Sequence, residues 1–396
     1  MDFIVISLIK IALVAFVLLT TLAYLQWVER KVIAHVQVRM GPSRVGPHGL
    51  LQPLADVIKL ITKEGVMPPH VNKVFYLLAP FLAVFMALMS ITVIPFGAEI
   101  KAFGYSTWMQ LTDLNVGVLF ILALSSLGVY GIALAGWSSN NKYSLLGGLR
   151  SSAQMISYEL PMSLAIAAPL LLAGTLSLRK IVESQAGYSF GFLPHWAIFQ
   201  GPFPQVFSFF IFLIAAFAET NRIPFDLPEA ENELVAGFHT EYSSMTFAAF
   251  FMAEYANMIT VASMTTILFL GGWTPLFPES LGSNFIAPLI FFIAGAIALY
   301  HGLHPARPFD RFTLPVFGLL FFAIAGLFLI PFLHQFLMPL FWYAAKTGFL
   351  LFVFIWIRAT LPRFRYDQLM DFAWKFLFPA ALLNLLVTAF LVAWFA

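Results

Sequence analysis

The hydrophobic positions along the chain fall into ten long runs separated by polar stretches. Each run is long enough to cross the roughly 30 Å hydrocarbon core of a bilayer as an α-helix. The runs cover residues 3–25, 74–97, 115–136, 155–177, 204–221, 243–270, 284–301, 313–334, 340–358 and 376–395. Prolines 161 and 331 are expected near span ends, where they disturb a helix least. The pattern predicts an all-α polytopic membrane protein with about ten transmembrane helices, forming one integral membrane domain over residues 1–396.

Composition excludes the soluble classes. Of the 396 residues, 61% are hydrophobic and only 10% are charged, whereas a soluble domain carries about 25% charged residues. A net charge of +2 provides no basic field for a nucleic acid. Because the chain has no cysteine and its eight histidines lack metal-ligand spacing, we expect no metal site and no iron–sulfur ligation.

Lysines and arginines test the predicted spans independently, because cytoplasmic loops are enriched in both. If the spans alternate sides, sixteen of these residues lie in loops on one side and three on the other. Lys10 and Lys346 lie within spans, and Lys346 is a candidate for an interior polar pair. The bias predicts that the sixteen-charge side is cytoplasmic and that both termini lie on the opposite side.

The first cytoplasmic loop, predicted at residues 26–73, contains a Gly/Pro-rich stretch followed by a helical pattern. From Leu50 onward apolar residues recur with helical spacing, and Asp56, Lys59 and Lys63 lie on the opposite face. This pattern predicts an amphipathic helix in the membrane interface rather than a span. Two roles fit it: anchoring on anionic lipid, or a docking surface that also forms the rim of a cavity.

A second cytoplasmic loop, predicted at residues 219–242, is acidic. Seven of the nineteen acids lie within residues 219–254, and Arg222 is the lone cation of the acidic core. The acids are Glu219, Asp226, Glu229, Glu231, Glu233, Glu241 and Glu254. Like charges so close together should raise some of the carboxyl pKa values. The loop is therefore either a solvated surface for a basic partner or a proton-loadable cluster that feeds a path into the membrane.

Two further acids are predicted within spans. Glu254 lies about three turns into its span, where an ionisable residue is a functional candidate. Glu159 is predicted shortly after the start of the fourth span, beside Pro161, which can loosen the helical hydrogen bonds and leave a polar pocket. Glu159 either reaches back to the interface or belongs to the same acid path.

These segments together resemble one protein family. Residues 49–64 (GLLQPLADVIKLITKE) and 224–237 (PFDLPEAENELVAG) are similar to the two diagnostic segments of the quinone-site membrane subunit of respiratory complex I, the proton-pumping NADH:quinone oxidoreductase. This subunit is called H in bacteria and 1 in mitochondria. Further similar stretches lie at residues 136–160, 238–255, 268–273 and 357–379. The resemblance covers nearly the whole chain in order.

The resemblance implies roles for three groups of residues. The residues that would border the quinone chamber and its entrance are Glu29, Arg30, Arg39 and Asp56. The residues that would form a coupling loop are Asp226, Glu229, Glu231 and Glu233. The residues that would line a proton path into the membrane arm are Glu159, Glu219, Glu241 and Glu254.

The resemblance also implies a setting. Quinone would be the substrate, and FMN and iron–sulfur clusters would be held by partner subunits rather than by this chain. The expected partners are hydrophilic-arm iron–sulfur and quinone-site subunits, small membrane subunits, antiporter-like subunits and the lipid bilayer, with no nucleic acid. The implied location is the bacterial inner membrane, and the chain would be an enzyme subunit without a complete active site of its own.

Two features depart from the family pattern of eight spans. Residues 274–339 contain two added hydrophobic segments where the family has a short loop, and we expect them to pack against a neighbouring subunit or lipid. Some relatives carry an acid in the third span, where this chain has Ser125 and Ser126. The path therefore has one carboxylate fewer, or a water chain at that point.

Our mechanistic hypothesis is that quinone reduction changes the protonation of Glu229, Glu231 and Glu233, and that the change spreads into the membrane through the buried acids. Three other interpretations remain open: a membrane subunit of a hydrogenase-type complex, a self-contained proton-coupled transporter, and a structural anchor. Photolabelling with a quinone analogue, transport by the purified chain, and neutralisation of Glu159 or Glu254 would separate them.

Overall fold

The chain is built almost entirely from helices. A computed structural model describes residues 2–102, 105–200, 204–226, 235–305 and 309–395. The helices are α1 (Asp2–Val36), α2 (Gln52–Thr62), α3 (Lys73–Ser90), α4 (Gly117–Ser138), α5 (Lys142–Ala173), α6 (Leu178–Ser184), α7 (Val206–Glu219), α8 (Ser244–Phe269), α9 (Ser283–Leu303), α10 (Asp310–Phe328), α11 (Pro331–Thr360), α12 (Tyr366–Asp371) and α13 (Phe378–Phe395). Within the described ranges, nine helical segments are long and apolar enough to cross a membrane, and α7 is a shorter apolar helix. The predicted all-α polytopic class is confirmed.

The remaining regular elements are short. A π-helical segment, Phe372–Leu377, joins α12 to α13 into one long span. Two antiparallel hairpins pair β1 (Glu99–Ala102) with β2 (Tyr105–Trp108) and β3 (Tyr188–Ser189) with β4 (Leu193–Pro194). Single 3₁₀ turns occur at Pro47–Gly49, Ile91–Val93, Gly237–His239 and Glu279–Leu281.

Several helices begin or end away from the predicted span limits. Helix α1 continues beyond residue 25, through Glu29 and Arg30, and α5 begins at Lys142 rather than near residue 155. Hydropathy marks where a chain leaves the apolar layer, whereas a helix continues wherever its internal hydrogen bonds remain favourable. The charged residues predicted at the start of the first loop, Glu29 and Arg30, therefore belong to α1. The first loop itself begins after Val36.

The expected position near a helix end is wrong for Pro161 and confirmed for Pro331. Pro161 lies in the middle of α5, and Glu159 with it, rather than near a span end. Pro331 does not end the predicted span 313–334 but starts α11. At the first helical position its missing N–H removes no hydrogen bond.

In the main core α4, α7 and α13 pack against α5, α3 packs against α4 and α8, and α11 packs against α8. Its largest fully buried side chains include Tyr158, Phe212, Phe269 and Phe354. Close backbone approach also matters, because a Cβ on Gly147 of α5 would lie 2.7 Å from the Cα of Gly237. This contact holds the turn before α8 directly against α5.

Helices α9 and α10 lie in the segment predicted to be an insertion and form a hairpin, which we call the inserted hairpin. A Cβ on Gly302 would lie 2.5 Å from Cδ of Pro315, and one on Gly295 would lie 3.0 Å from the carbonyl oxygen of Gly318. Small residues at such a crossing let two membrane helices approach closely. A separate apolar cluster around Phe328 and neighbouring residues joins the hairpin to α11.

Polar contacts between loops are consistent with the predicted alternation of sides. On the predicted cytoplasmic side, the amide of Val66 donates to the hydroxyl of Ser243 at 3.0 Å. On the opposite side, the hydroxyl of Tyr188 donates to the carbonyl of Pro275 at 3.0 Å. Each contact joins segments assigned to one side, so the order of the spans is supported by tertiary contacts.

Candidate functional site

Several buried charged groups of the described chain meet in one place, which we call the Arg222 cluster: Arg222, Glu29, Glu254, Tyr255 and Arg358. The guanidinium Nη1 of Arg222 lies 3.1 Å from Oε1 of Glu29, and its Nε lies 2.6 Å from Oε1 of Glu254. Arg358 also pairs with Glu29. The hydroxyl of Tyr255 donates to Oε2 of Glu29 at 2.7 Å, and the Arg222 guanidinium lies 4.3 Å from the Tyr255 ring centre.

The Arg222 cluster is assembled from four separate parts of the chain. Glu29 comes from α1, Arg222 from the turn after α7, Glu254 and Tyr255 from α8, and Arg358 from the last turns of α11. Two carboxylates balance two guanidinium groups. Burial opposes the charge of Arg222, but the carboxylates of Glu254 and Glu29 raise its pKa above the ordinary value. The cation is therefore retained at this depth.

A second set of contacts joins α1 to the amphipathic helix. The guanidinium of Arg30 lies 2.8 Å from Oδ2 of Asp56, and Gln52 donates to the other oxygen at 3.0 Å. The apolar side chains of α2 point outward, with Leu54 57% exposed and Ile61 61% exposed. An exposed apolar face opposite a polar one confirms the predicted amphipathic helix.

Arg39 does not join this set. It is exposed in the segment after α1, and its described side-chain contact is a hydrogen bond from Nε to Oε1 of Gln37 at 2.8 Å. Of the four residues assigned to the quinone chamber, the structure links Arg30 to Asp56 and buries Glu29, while Arg39 lies apart in the described contacts.

The start of the acidic loop is held against the core. Asp226 is buried, and its Oδ2 lies 3.0 Å from Nη2 of Arg363. The side chain of Gln154 donates to the carbonyls of Ala218 and Phe225, both at 2.7 Å. The other predicted coupling-loop acids, Glu229, Glu231 and Glu233, lie outside the described residues.

Glu219 ends α7 at the meeting point of two small cavities. The first has a volume of about 30 Å³ and is also lined by Ser125 and Thr260. The second has a volume of about 60 Å³ and is also lined by Glu254. A polar cavity above roughly 15 Å³ can hold water, so both are large enough for it. Glu219 and Glu254 therefore face the same water-sized space.

Asn257 lines both cavities, one turn after Glu254 on α8. Its amide can both donate and accept hydrogen bonds. Within the described residues, Oε2 of Glu219 is buried and has no hydrogen-bond partner in the protein. Buried polar atoms nearly always have a partner, which can be an ordered water molecule. The arrangement suits a short chain of water molecules.

The two serines of α4 stand between the remaining acids. Ser126 donates a hydrogen bond to the carboxylate of Glu159, and the Ser125 hydroxyl interacts with Glu219. Glu159 is thus bound to a neighbouring helix midway along α5 and does not reach back to the interface from a helix end. Hydroxyl groups rather than carboxylates of α4 therefore face Glu159 and Glu219.

Sequence comparison decides the family. The sequence profile of the NADH dehydrogenase family matches residues 9–389. The chain belongs to this family. An H-type subunit of the NADH-quinone oxidoreductase of Solibacter usitatus is 70% identical over 393 residues, which cover 99% of this chain and 98% of that protein. An H-type subunit of the same enzyme from Koribacter versatilis is 51% identical, covering 99% of this chain and 98% of the relative. The H-type subunit of Protochlamydia amoebophila is 46% identical over 94% of this chain and 93% of that protein.

Membership of the NADH dehydrogenase family confirms the predicted resemblance along almost the entire chain. The proton-path and chamber groups, however, are not separate in the structure. Glu29, assigned to the chamber, and Glu254, assigned to the path, are joined by Arg222. The crowding of like charges expected in the acidic stretch is relieved at Glu254 by a cation from the same stretch.

Glu241 occupies a different position from the other path acids. Its Oε1 accepts a hydrogen bond from Nδ2 of Asn141 at 2.7 Å, and its backbone carbonyl accepts one from the hydroxyl of Tyr76 at 2.9 Å. These contacts place it near the start of α5, in the loop before α8. It does not line the two cavities around Glu219.

Sequence reasoning missed several members of the site. Arg222 could have been recognised from the sequence, because it is the lone cation in an acidic stretch. No local sequence pattern distinguishes Arg358 or Tyr255. His239 was considered only as a metal ligand, yet it lines the larger cavity beside Glu219 and Glu254. Burial lowers the pKa of His239 to about 4, so its imidazole is neutral at physiological pH.

Proposed function

We propose that this chain is the H-type membrane subunit of a proton-translocating NADH:quinone oxidoreductase. The support is a family match and relatives carrying that subunit name along nearly the whole chain. The hydrogenase-type and transporter alternatives are not favoured, since these relatives are quinone oxidoreductase subunits. The chain contributes to the enzyme without holding a complete active site.

In this proposal the inner end of α1 and helix α2 border the quinone chamber. The pairing of Arg30 with Asp56 supports a rigid wall there, with Glu29 buried behind it. Arg39 remains in the proposal on the family resemblance. The headgroup of quinone is the substrate, and the electrons come from clusters held by partner subunits of the hydrophilic arm.

The observation that carries the coupling role is the cavity shared by Glu219 and Glu254, with Glu254 also bound to Arg222. The Arg222 guanidinium lies between the two carboxylates, with Nη1 next to Glu29 and Nε next to Glu254. Because Arg222 contacts both carboxylates, a change in the charge of Glu29 changes the electrostatic attraction that Arg222 exerts on Glu254.

The chamber side and the cavity are thus coupled through the charge of Arg222, and no proton passes directly between the two carboxylates. A proton on Glu254 reaches Glu219 through cavity water, and the hydroxyls of Ser125 and Ser126 connect Glu219 with Glu159. The coupling-loop acids Glu229, Glu231 and Glu233 are proposed to respond first to quinone reduction. Antiporter-like and small membrane subunits would receive the change, in a bacterial inner membrane with both termini on the non-cytoplasmic side.

The test is neutralisation of the cavity acids in the assembled complex. Glu219→Gln and Glu254→Gln each keep the side-chain size but cannot carry a proton, so we expect coupled quinone reduction to fall about tenfold or more. NADH oxidation by a water-soluble electron acceptor, which does not use the membrane arm, should be unchanged. Glu231→Gln should likewise assemble and lose coupled quinone reduction.

Asp371→Asn is the matched control, because Asp371 is exposed and pairs with Lys375 one turn away on the surface. It should leave both activities and proton pumping unchanged. Normal quinone reduction and normal pumping in both cavity variants would reject the proposed path and support a purely structural role for these acids.

A further inference from the structure

The segment between α1 and α2 forms a compact unit. Within residues 42–51, the amide of Leu51 donates to the carbonyl of Val45 at 3.2 Å. A Cβ on Gly49 would lie 2.3 Å from the carbonyl oxygen of Pro42, so the two ends of the turn touch through their backbones. Because its ends are in contact, we expect this turn to shift as one unit when one of its residues is displaced.

His48 is an unusual residue for its place in the turn. It adopts a left-handed conformation with φ +52°, and the nearby left-handed positions 46 and 49 are both glycine. A side chain at such a position carries a steric cost that glycine avoids. The imidazole is therefore expected to make contacts that offset this cost.

Those contacts reach the inserted hairpin. Nε2 of His48 lies 3.5 Å from Oδ1 of Asp310 and 3.2 Å from Oγ1 of Thr313. Both partners lie in the first turn of α10, and the side chain of Asp310 is only 15% exposed. The hairpin thus contacts the first loop, in addition to packing on α11.

Two of the contacts that hold the loop and α2 involve charged or polar side chains near the predicted quinone entrance. One is the pairing of Arg30 on α1 with Asp56 on α2. The other is the contact of His48 with α10. We propose that the inserted hairpin braces the first loop at the quinone entrance through His48, Asp310 and Thr313. The reference to quinone rests on the proposed function, whereas the brace itself does not.

These three residues are positioning residues, since they act on substrate through the shape of the loop. Releasing the brace should weaken quinone binding more than it slows turnover, because the bound conformation of the loop is no longer preorganised. The double variant Asp310→Asn with Thr313→Val should raise KM for a short-chain benzoquinone about fivefold, the effect of losing about one net hydrogen bond. The kcat should stay within about twofold.

Two variants serve as controls. Glu279→Gln changes an exposed acid at the opposite end of the same hairpin and should behave as the wild type. Thr313→Ser keeps the hydroxyl and should preserve the wild-type KM. All variants are measured in the assembled complex in native membranes.

A second measurement tests the brace without using activity. The amides of Gly49, Leu50 and Leu51 are hydrogen-bonded within the turn, so their hydrogen exchange in the purified complex reports its opening. We expect exchange about fivefold faster in the double variant and unchanged in Glu279→Gln. Unchanged exchange in the double variant would overturn the brace. Faster exchange with an unchanged KM would overturn the positioning role. It would show that the brace exists but that the loop does not border the quinone entrance.

Discussion

Two buried charged sites lie at opposite ends of the helix bundle and are stabilised in different ways. The Arg222 cluster pairs two guanidinium groups with two carboxylates beside a cavity lined by Glu254. Lys346 on α11 instead donates to the backbone carbonyls of Leu270, Gly272 and Thr274, at 2.6, 2.9 and 2.7 Å. Its Nζ also lies 4.1 Å from the ring centre of Trp196.

Local backbone geometry makes the Lys346 site possible. Gly271 and Gly272 both have positive φ, which turns the chain after α8 so that three carbonyls converge on one ammonium group. A Cβ on Gly271 would lie 2.4 Å from Cδ1 of Trp196. Lys346 thus has interior polar partners as expected, and those in the described contacts are backbone carbonyls.

The difference separates a site whose partners titrate from one whose partners do not. Carbonyl groups do not titrate, so Lys346 is held by fixed dipoles and serves to tie α11 to the turn after α8. Carboxylates can exchange protons, and those around Arg222 are connected to space for water. Buried charge alone therefore does not indicate a proton path; titratable partners and a hydrated cavity are also needed.

The largest effect is expected from removing the shared cation. Arg222→Met leaves Glu29 and Glu254 without their common partner, and breaking a buried pair typically costs about 3–5 kcal/mol. The amount of assembled complex and its thermal-unfolding midpoint should both fall sharply. Arg222→Lys should not restore them, because one ammonium cannot reproduce a planar guanidinium that serves two carboxylates. Wild-type stability of Arg222→Met would remove the basis for treating the cluster as one unit.

A pH-dependent loss of stability is expected at His239. Its pKa is about 4 in the folded chain against 6.5 for the ordinary group, because of burial. As pH falls below about 6.5, the unfolded chain binds a proton that the folded chain does not, so stability decreases until about pH 4, by about 3 kcal/mol at most. Glu219 and Glu254 face the same cavity and contribute their own dependence. Thermal midpoints of the wild type and His239→Gln, compared at about pH 7 and about pH 4.5 so that they span this window, isolate the histidine. Equal pH slopes would contradict the prediction.

A smaller effect is expected at the carbonyl-bound site. Lys346→Met leaves three carbonyls without their donor, which should cost about 2 kcal/mol. Because the site lacks titratable partners in the described contacts, quinone reduction per assembled complex should remain at the wild-type level. A specific loss of proton pumping in this variant would erase the distinction between the two sites.

The smallest effect is expected at the exposed pair of Arg30 and Asp56. The Arg30 side chain is 43% exposed, and pairs of this kind contribute about 1 kcal/mol or less. Arg30→Gln should lower the thermal midpoint only slightly, and the difference from the wild type should shrink at high salt because exposed charges are screened. A large change that persists in high salt would show that this pair behaves like the buried cluster.

The amino-acid sequence by itself determined the helical class, the ten apolar helices, the amphipathic α2 and the inserted hairpin. These follow from hydropathy and periodicity, which depend only on residues near one another in the chain. It also identified Glu219 and Glu254 as informative, because carboxylates are scarce in apolar segments. The ends of α1 and α5 could not be obtained in this way, since a helix can continue through charged residues once it leaves the membrane.

Only the tertiary structure decided which charges meet. The partners of Glu29 are 193 and 329 residues away in the chain, and His48 meets Thr313 across 265 residues. Local patterns contain no information on such contacts, because they depend on how helices pack and on which turns bring their ends together. The sequence determined where charge is costly, and the packing of α1, α8 and α11 around the turn after α7 decided how that cost is offset.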